Sequence, residues 1–314
     1  MLVIGGPTAS GKSGLALALA ERLGGTVINA DSMQVYAELR IVTARPGPGD
    51  EARAPHRLYG VVPASVRMSA ARWRELALAE IAAAQASGRL PVVVGGTGLY
   101  LRALMEGLSD IPPIPEDVRA AAKDLHARLG GEAFHAELSR RDPAGAAKLF
   151  PGDTQRLVRA WEVIEATGRT LGDWQAAGRE TAPDLDFHTL VVEPPRDRLY
   201  AACDARFLIM LEQGALEEVR MLATQGLDED LPVMKALGVP ELLAHLRGQA
   251  TLAEATARAQ QLTRNYAKRQ TTWFRHQMGA ARRVDPGAQG SLAAMSQLYD
   301  TIADEFFAFV RKTH

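Results

Sequence analysis

"VIGGPTASGKSGLALALAERL", residues 3–23, decides the fold. Apolar Val3 and Ile4 run into Gly5 and Gly6. From Gly6 to Ser13 the chain reads GPTASGKS, the pattern G-x-x-x-x-G-K-[ST]. Leu15, Leu17, Leu19 and Leu23 among alanines then read as a helix, which Gly24-Gly25 stops. Strand, glycine loop and helix in that order are the setting of a phosphate loop. Gly6 and Gly11 let the backbone turn tightly through Pro7, Thr8, Ala9 and Ser10, so that consecutive amides face an anion. The helix start adds its positive end, Lys12 a point charge, and the Ser13 hydroxyl a ligand for a Mg²⁺ that bridges two phosphates. The loop does not name the leaving group. A diphosphate looks alike to it whether it belongs to a nucleotide or to another molecule.

Working outward, the same design recurs. "TVINADS", 26–32, reads as a second strand, "RLYGVV", 57–62, as a third, and "LPVVVGGTGLYLRALMEGL", 90–108, as another strand, glycine turn and helix. "MSAARWRELALAEIAAAQASG", 68–88, is a helix with Ser69 as its cap and Gly88 as its stop. "HTLVVEPP", 188–195, is a further strand. Strands alternating with helices predict an α/β fold: a P-loop NTPase-like parallel sheet with helices on both faces. Residues 109–187 carry helical patterning without a convincing strand, entered at Pro112, Pro113 and Pro115 and left at Ala182-Pro183. The organisation expected is a discontinuous core, 1–108 and 188–284, a helical insertion, 109–187, and a C-terminal helix, 285–314. Helices are expected over roughly 196–226, 238–247, 251–279 and 291–312.

Composition excludes several classes. The 314 residues are 47% hydrophobic and 23% charged, as in an ordinary soluble globular chain. No apolar run reaches the roughly 18–20 residues of a membrane span, and no secretory signal pattern opens the chain. Cys203, the single cysteine, has no partner for an internal disulfide, which fits a reducing, cytoplasmic setting. Net charge is −1, so any polyanion would be met by a local basic patch.

Further candidates lie at the carboxyl ends of the strands, the edge where such sheets bind ligands. Asp31 ends the second strand and can take a proton from a nucleophile or hold Mg²⁺ through water. Thr97 sits in the second glycine turn. The strand "PVVVGGTG" ends without the acidic residue a nucleotide hydrolase would place there, although a P-loop small-molecule or nucleoside kinase stays open as an alternative. "TRNYAKRQTTWFRHQMGAARR", 263–283, holds six Lys or Arg between Arg264 and Arg283, no Asp or Glu, and interleaved Tyr266, Trp273 and Phe274. It reads either as a nucleic-acid surface or as an amphipathic helix with core aromatics. "DTQRLVRAWEVIEATGRT", 153–170, adds Arg156, Arg159 and Arg169.

Together, GPTASGKS (6–13), "INADSMQVY" (28–36), "TARP" (43–46), "PHRL" (55–58), "MSAARWRELA" (68–77), "VVGGTGLYLRALMEGL" (93–108), "DTQRLVRAWEV" (153–163) and "AKRQTTWFR" (267–275) resemble the tRNA dimethylallyltransferase family, across nearly the whole chain and in the family's order. The resemblance implies transfer of a dimethylallyl group from dimethylallyl diphosphate to N6 of the adenosine at tRNA position 37, with Mg²⁺ assisting and diphosphate leaving. It implies that Gly6 to Ser13 hold the prenyl diphosphate rather than ATP, that Asp31 is the general base, and that Thr97 and Arg119 lie near the reacting centre. It implies an anticodon stem-loop gripped by Asp31, Ser32, Met33 and Gln34, by Gln155, Arg156, Leu157, Val158 and Arg159, by Lys235 and Gly238, and by Lys268, Arg269, Gln270, Trp273 and Arg275, with the target base extruded into the protein. A monomer without membrane contact is expected. Val42 and Arg45 stand where the family has glycine and lysine, and Val239-Pro240 follow Gly238 where it has a tyrosine element.

Overall fold

The computed structural model describes residues 1–178, 183, 185–289 and 292–313. The chain divides into two compact units, Met1–Met105 with Asp184–His314, and Glu106–Pro183.

The first unit is built on a six-stranded sheet. Its strands are β1 (Leu2–Gly5), β2 (Gly25–Asn29), β3 (His56–Arg57), β4 (Leu90–Gly95), β5 (His188–Val192) and β6 (Arg282–Val284), in the order β3-β2-β4-β1-β5-β6. Every pairing is parallel. The helices are α1 (Lys12–Leu23), α2 (Pro48–Arg53), α3 (Ala70–Ala86) and α4 (Gly98–Glu106), then α5 (Glu116–Arg141), α6 (Pro143–Ala146), α7 (Thr154–Thr167) and α8 (Leu171–Ala176) in the second unit. The chain returns as α9 (Arg196–Glu212), α10 (Ala215–Ala223), α11 (Val239–Leu246), α12 (Leu252–Gln277) and α13 (Leu292–Thr313).

Strand alternation sends side chains to two layers. Leu2, Ile4, Val27, Val92, Val94, Leu190 and Val192 meet Leu15 and Leu19 of α1 and Ile302 and Phe306 of α13. Val3, Ile28, Val93 and Val191 meet Trp73, Tyr100, Phe207, Val219, Leu242 and Phe274 from α3, α4, α9, α10, α11 and α12. Burying each large apolar side chain contributes about 1.5–3 kcal/mol, so both faces must be covered, as the apolar strands require.

The expected α/β architecture with helices on both faces is therefore present. Boundaries differ where local chemistry intervenes. The strand expected over 57–62 pairs only at His56–Arg57, with Tyr36 and Val62 forming an isolated bridge, because Gly60 turns the chain away at φ 62°. β2 stops at Asn29 rather than running to residue 32. The helix expected over 196–226 breaks at Gly214, φ 101°, into α9 and α10. β6 and α2 were not foreseen. Of the expected boundaries, Ala182 and Ser291 lie outside the described residues.

In the second unit, α5 bends where Gly130 takes φ 76°. Phe134 and Leu138 pack there with Leu157 and Trp161 of α7, and the Arg141 guanidinium lies 4.1 Å from the Trp161 ring centre.

Candidate active site

The GPTASGKS loop, residues 6–13, leaves β1 and enters α1. Gly11 caps α1 at φ 89°, a left-handed conformation that costs other residues energy. A Cβ there would have open space, with nothing within 4 Å. Ala9 also holds a positive φ, 61°, as turns at functional sites do. The Lys12 ammonium donates to the Pro7 carbonyl at 3.2 Å. The residue as a whole is only partly buried, but its charged end is deep, and desolvation lowers its pKa to about 8. Arg206 pushes the same way, while Asp31 opposes both. Ser10 is buried, and its hydroxyl has no hydrogen-bond partner among the described residues, an orphaned polar group of the kind that calls for a partner. Ser13 is exposed on the first turn of α1.

Three adjacent strands deliver the rest. β1, β4 and β2 end side by side, with Gly5 opposite Gly95 and Asn29 opposite Val94. Fully buried Asn29 bends the chain beyond β2. Its amide donates to the carbonyls of Asp31 and Leu58, each at 3.0 Å, and its Oδ1 accepts the Asp31 N–H at 2.8 Å. This fixes Asp31, whose Oδ1 accepts the Met33 N–H at 2.9 Å. Thr97 is tied to the same segment: its Oγ1 accepts the Ser32 N–H at 2.9 Å and lies 3.2 Å from the Ser32 hydroxyl. Gln34 spends its amide donors on the carbonyls of Thr43 and Ala44, at 2.8 and 3.1 Å.

α12 has two working faces. Gln270 is buried, and both ends of its amide are used inside the protein. Its Oε1 accepts the Thr8 N–H at 2.8 Å, and its Nε2 donates to the Gly96 carbonyl at 2.8 Å. Phe274 and Trp273 fill the space beside Gly5 and Gly98, where a Cβ would collide with their rings. Gln270 therefore clamps the GPTASGKS loop to the second glycine turn, and Trp273 packs over Gly98. Lys268, Arg269 and Arg275 are exposed. Arg275 pairs with Glu193 at 2.6 Å, and Arg264, half-turned inward, pairs with Asp204.

A cavity of about 340 Å³ opens beside these loops, lined by Thr8, Asp31, Met33, Thr43, Arg206 and Tyr266 among others. Arg206 escaped the sequence reading, and Tyr266, read only as one of the interleaved aromatics of 263–283, faces this cavity. Arg206 donates to the Thr8 hydroxyl, and burial lowers its pKa although Cys203 and Asp31 favour its charge. The Tyr266 phenol is pushed above its ordinary range, first by burial and then by Asp31, while a hydrogen bond with Thr97 pulls it back. No motif marks Arg206; only its placement on α9 over the phosphate loop does. Cys203 also lines the cavity as a buried thiol whose pKa burial raises. Lys235 reaches the rim and pairs with Asp230 at 2.7 Å. Gly238 caps α11 at φ 94°, with Phe207 where its Cβ would be, so both backbone conformation and close packing call for glycine here.

Within the second unit, Gln155 and Arg156 are exposed on α7. Leu157 and Val158 point into its core. Glu162 is buried and gathers two arginines, Arg159 at 2.7 Å and Arg119 at 3.7 Å; Arg119 also pairs with Glu116 at 3.1 Å.

Comparison with known proteins agrees with this geometry. The model of the IPP transferase family matches residues 34–277. The chain belongs to the IPP transferase family. It is 72% identical over 288 residues to the tRNA dimethylallyltransferase of Rhodospirillum centenum, covering 91% of this chain and 92% of that one. The solved full-length tRNA isopentenylpyrophosphate transferase of Bacillus halodurans superposes with a TM-score of 0.71 at 33% identity, over 100% and 98% of the two chains. A eukaryotic dimethylallyltransferase solved while acting on tRNA gives 0.73 at 28% identity, over 87% of this chain and 69% of its own.

Proposed function

We propose that this IPP transferase moves a dimethylallyl group from dimethylallyl diphosphate to N6 of the adenosine at tRNA position 37, releasing diphosphate. The observation that carries the reading is the convergence of the phosphate loop, Asp31 and Thr97 at three neighbouring strand ends, beside a cavity large enough for a small planar or branched group. A kinase would need the terminal phosphate to move. Here the apolar and polar cavity wall lies next to the loop, suited to holding what the phosphate leaves behind.

The step balances simply. The C1–O bond of the prenyl diphosphate breaks and its electron pair departs with diphosphate. A C1–N6 bond forms from the amine lone pair, and the amine proton passes to the Asp31 carboxylate. An adenine amine is a weak nucleophile, so a carboxylate held by the Met33 N–H, on a backbone fixed by Asn29, orients it while accepting its proton. Lys12, Arg206 and the loop amides stabilise charge growing on the departing diphosphate. Thr97, bonded to Ser32, sets the face against which the acceptor lies.

Ser13 and Asp31 are hard oxygen donors that suit Mg²⁺. When bound, the ion would supply Lewis-acid neutralisation of the diphosphate. Lys268 and Arg269 on α12, and Gln155 and Arg156 on α7, are exposed groups suited to the anticodon stem-loop. Arg119, held by two glutamates, fits best as a support of its own unit. Among the described residues no helix is long and apolar enough to cross a membrane, and we take the enzyme to act as a cytoplasmic monomer.

The test is nucleoside mass analysis of tRNA after incubation with dimethylallyl diphosphate and, separately, with labelled ATP. An isopentenyl mass on adenosine is expected. Label moving from ATP to a small acceptor, with none on RNA, would overturn the reading.

A further inference from the structure

The 40–43 segment supplies one wall of the Asp31 cavity through Val42 and Thr43, yet it belongs to no helix or strand. Its hold comes from α10. The Glu218 carboxylate accepts three successive backbone N–H groups: Arg40 at 2.7 Å, Ile41 at 2.8 and 3.1 Å to its two oxygens, and Val42 at 2.8 Å. Successive amides converging in this way make a concave anion site. Here the anion is the chain's own. The other hydrogen bonds of the segment among the described residues are neutral: the Thr43 hydroxyl to the Leu39 carbonyl at 2.6 Å, the Ala44 N–H to the Ile41 carbonyl and the Arg45 N–H to the Arg40 carbonyl, each at 2.9 Å, and Gln34 to the Thr43 and Ala44 carbonyls. Nearby acids are otherwise engaged. Glu38 accepts the Ala64 N–H at 2.9 Å and Glu217 pairs with Arg220.

We infer that Glu218 is a positioning residue for prenyl transfer: its carboxylate fixes the 40–43 wall and thereby the acceptor beside Asp31. It does so from outside the cavity lining. It faces instead a separate depression of about 520 Å³ with Ile41, Gly214 and Met221. That opening gives a small solute a path to the three amides once the side chain is shortened. The inference rests on the transferase reading for its turnover measurements alone.

The experiment uses the full chain with Glu218→Ala, hydrogen exchange across 40–44, steady-state transfer to tRNA, and a titration with sodium formate against sodium chloride of equal ionic strength. Loss of protection is expected, with kcat/KM for tRNA falling about tenfold or more. KM for dimethylallyl diphosphate should hold, because the phosphate loop is untouched. Formate should restore protection and turnover saturably, and chloride should not. A destabilised fold alone would move both KM values and would not answer to formate. Wild-type protection or turnover in Glu218→Ala, or no response to formate, overturns the inference. Should Glu218→Ala fail to melt cooperatively, Glu218→Gln fills the same volume without charge. A reduced kcat/KM for tRNA then supports the inference and a wild-type value refutes it. If the wild-type chain moves no prenyl group, the transferase reading fails, while exchange and formate still decide the role of Glu218.

Discussion

The molecule has two glycine-rich strand-to-helix turns, β1 into α1 and β4 into α4, and on the page they look like copies. Their glycines answer to different constraints. Gly11 in the first turn needs a left-handed backbone and has empty space where a side chain would stand. Gly96 and Gly98 in the second carry no such φ among the positive values. Their missing Cβ atoms make room for Gln270 and Trp273 of α12, and Gly95 makes room for the Ala30 backbone. The first turn keeps its glycine for a left-handed backbone, with open space beside it. The second is shaped to receive the protein's own helix, which locks it against the first through Gln270.

The largest break in this pairing comes from the first turn's charge. Lys12→Ala should lower kcat/KM for dimethylallyl diphosphate by about 10²–10³-fold, as losing a leading stabiliser of a departing anion does, with no loss of thermal stability, since the desolvated ammonium costs the fold stability at neutral pH. Steady-state kinetics and calorimetric melting check it; unaltered kinetics would remove the loop from the chemistry.

Next in size is the second turn. Gly96→Ala drives a Cβ into the Gln270 amide and should destabilise the fold by about 1–3 kcal/mol. Adding Gln270→Ala should relieve that clash, so the double variant should be more stable than the sum of the two single costs predicts. Strict additivity in denaturant melts would mean that the clash lies elsewhere.

This helix also shows how far the sequence could be read. The strand, loop and helix succession was legible because it is local: apolar run, glycine, lysine, then leucine periodicity. Asp31 and Thr97 were legible because strand ends face the ligand edge. The two faces of α12 were not. "KRQTTWFR" announces charge and aromatics together, and only the neighbouring glycines show that Gln270, Trp273 and Phe274 point inward while Lys268 and Arg269 point out. Asn29 and Arg206 were invisible for a related reason. Their partners, Leu58 and Thr8, lie far along the chain, and no spacing rule encodes such meetings. Leu157 and Val158, apolar members of a motif otherwise read for its charges, build a core with Phe134 of α5.

A smaller effect follows from pH. Because the Lys12 pKa is lowered to about 8 in the folded protein, the free loop loses its positive charge as pH rises through that value. Affinity for dimethylallyl diphosphate should hold below pH 8 and fall about tenfold for each unit above it, and the bend should vanish in Lys12→Ala. The stability linkage has the opposite sense: the unfolded chain binds the extra proton between about pH 8 and the ordinary lysine range, so this group's contribution to stability rises with pH across that window. A binding isotherm series from pH 6.5 to 9.5 checks the first, and a flat series would place the ammonium away from the diphosphate.

The finest test separates conformation from space at the two turns. Gly11→Ala meets no atom, so its cost is the left-handed backbone alone, about 1 kcal/mol. Asparagine tolerates that conformation better than alanine does, so Gly11→Asn should be the milder of the two in denaturant melts, whatever it does to diphosphate binding. At Gly96 the order should invert. There the backbone is ordinary and the obstacle is Gln270, so the larger asparagine should cost more than alanine. The same order at both positions would mean that the two turns share one constraint after all, and that the second, like the first, keeps its glycines for their backbone.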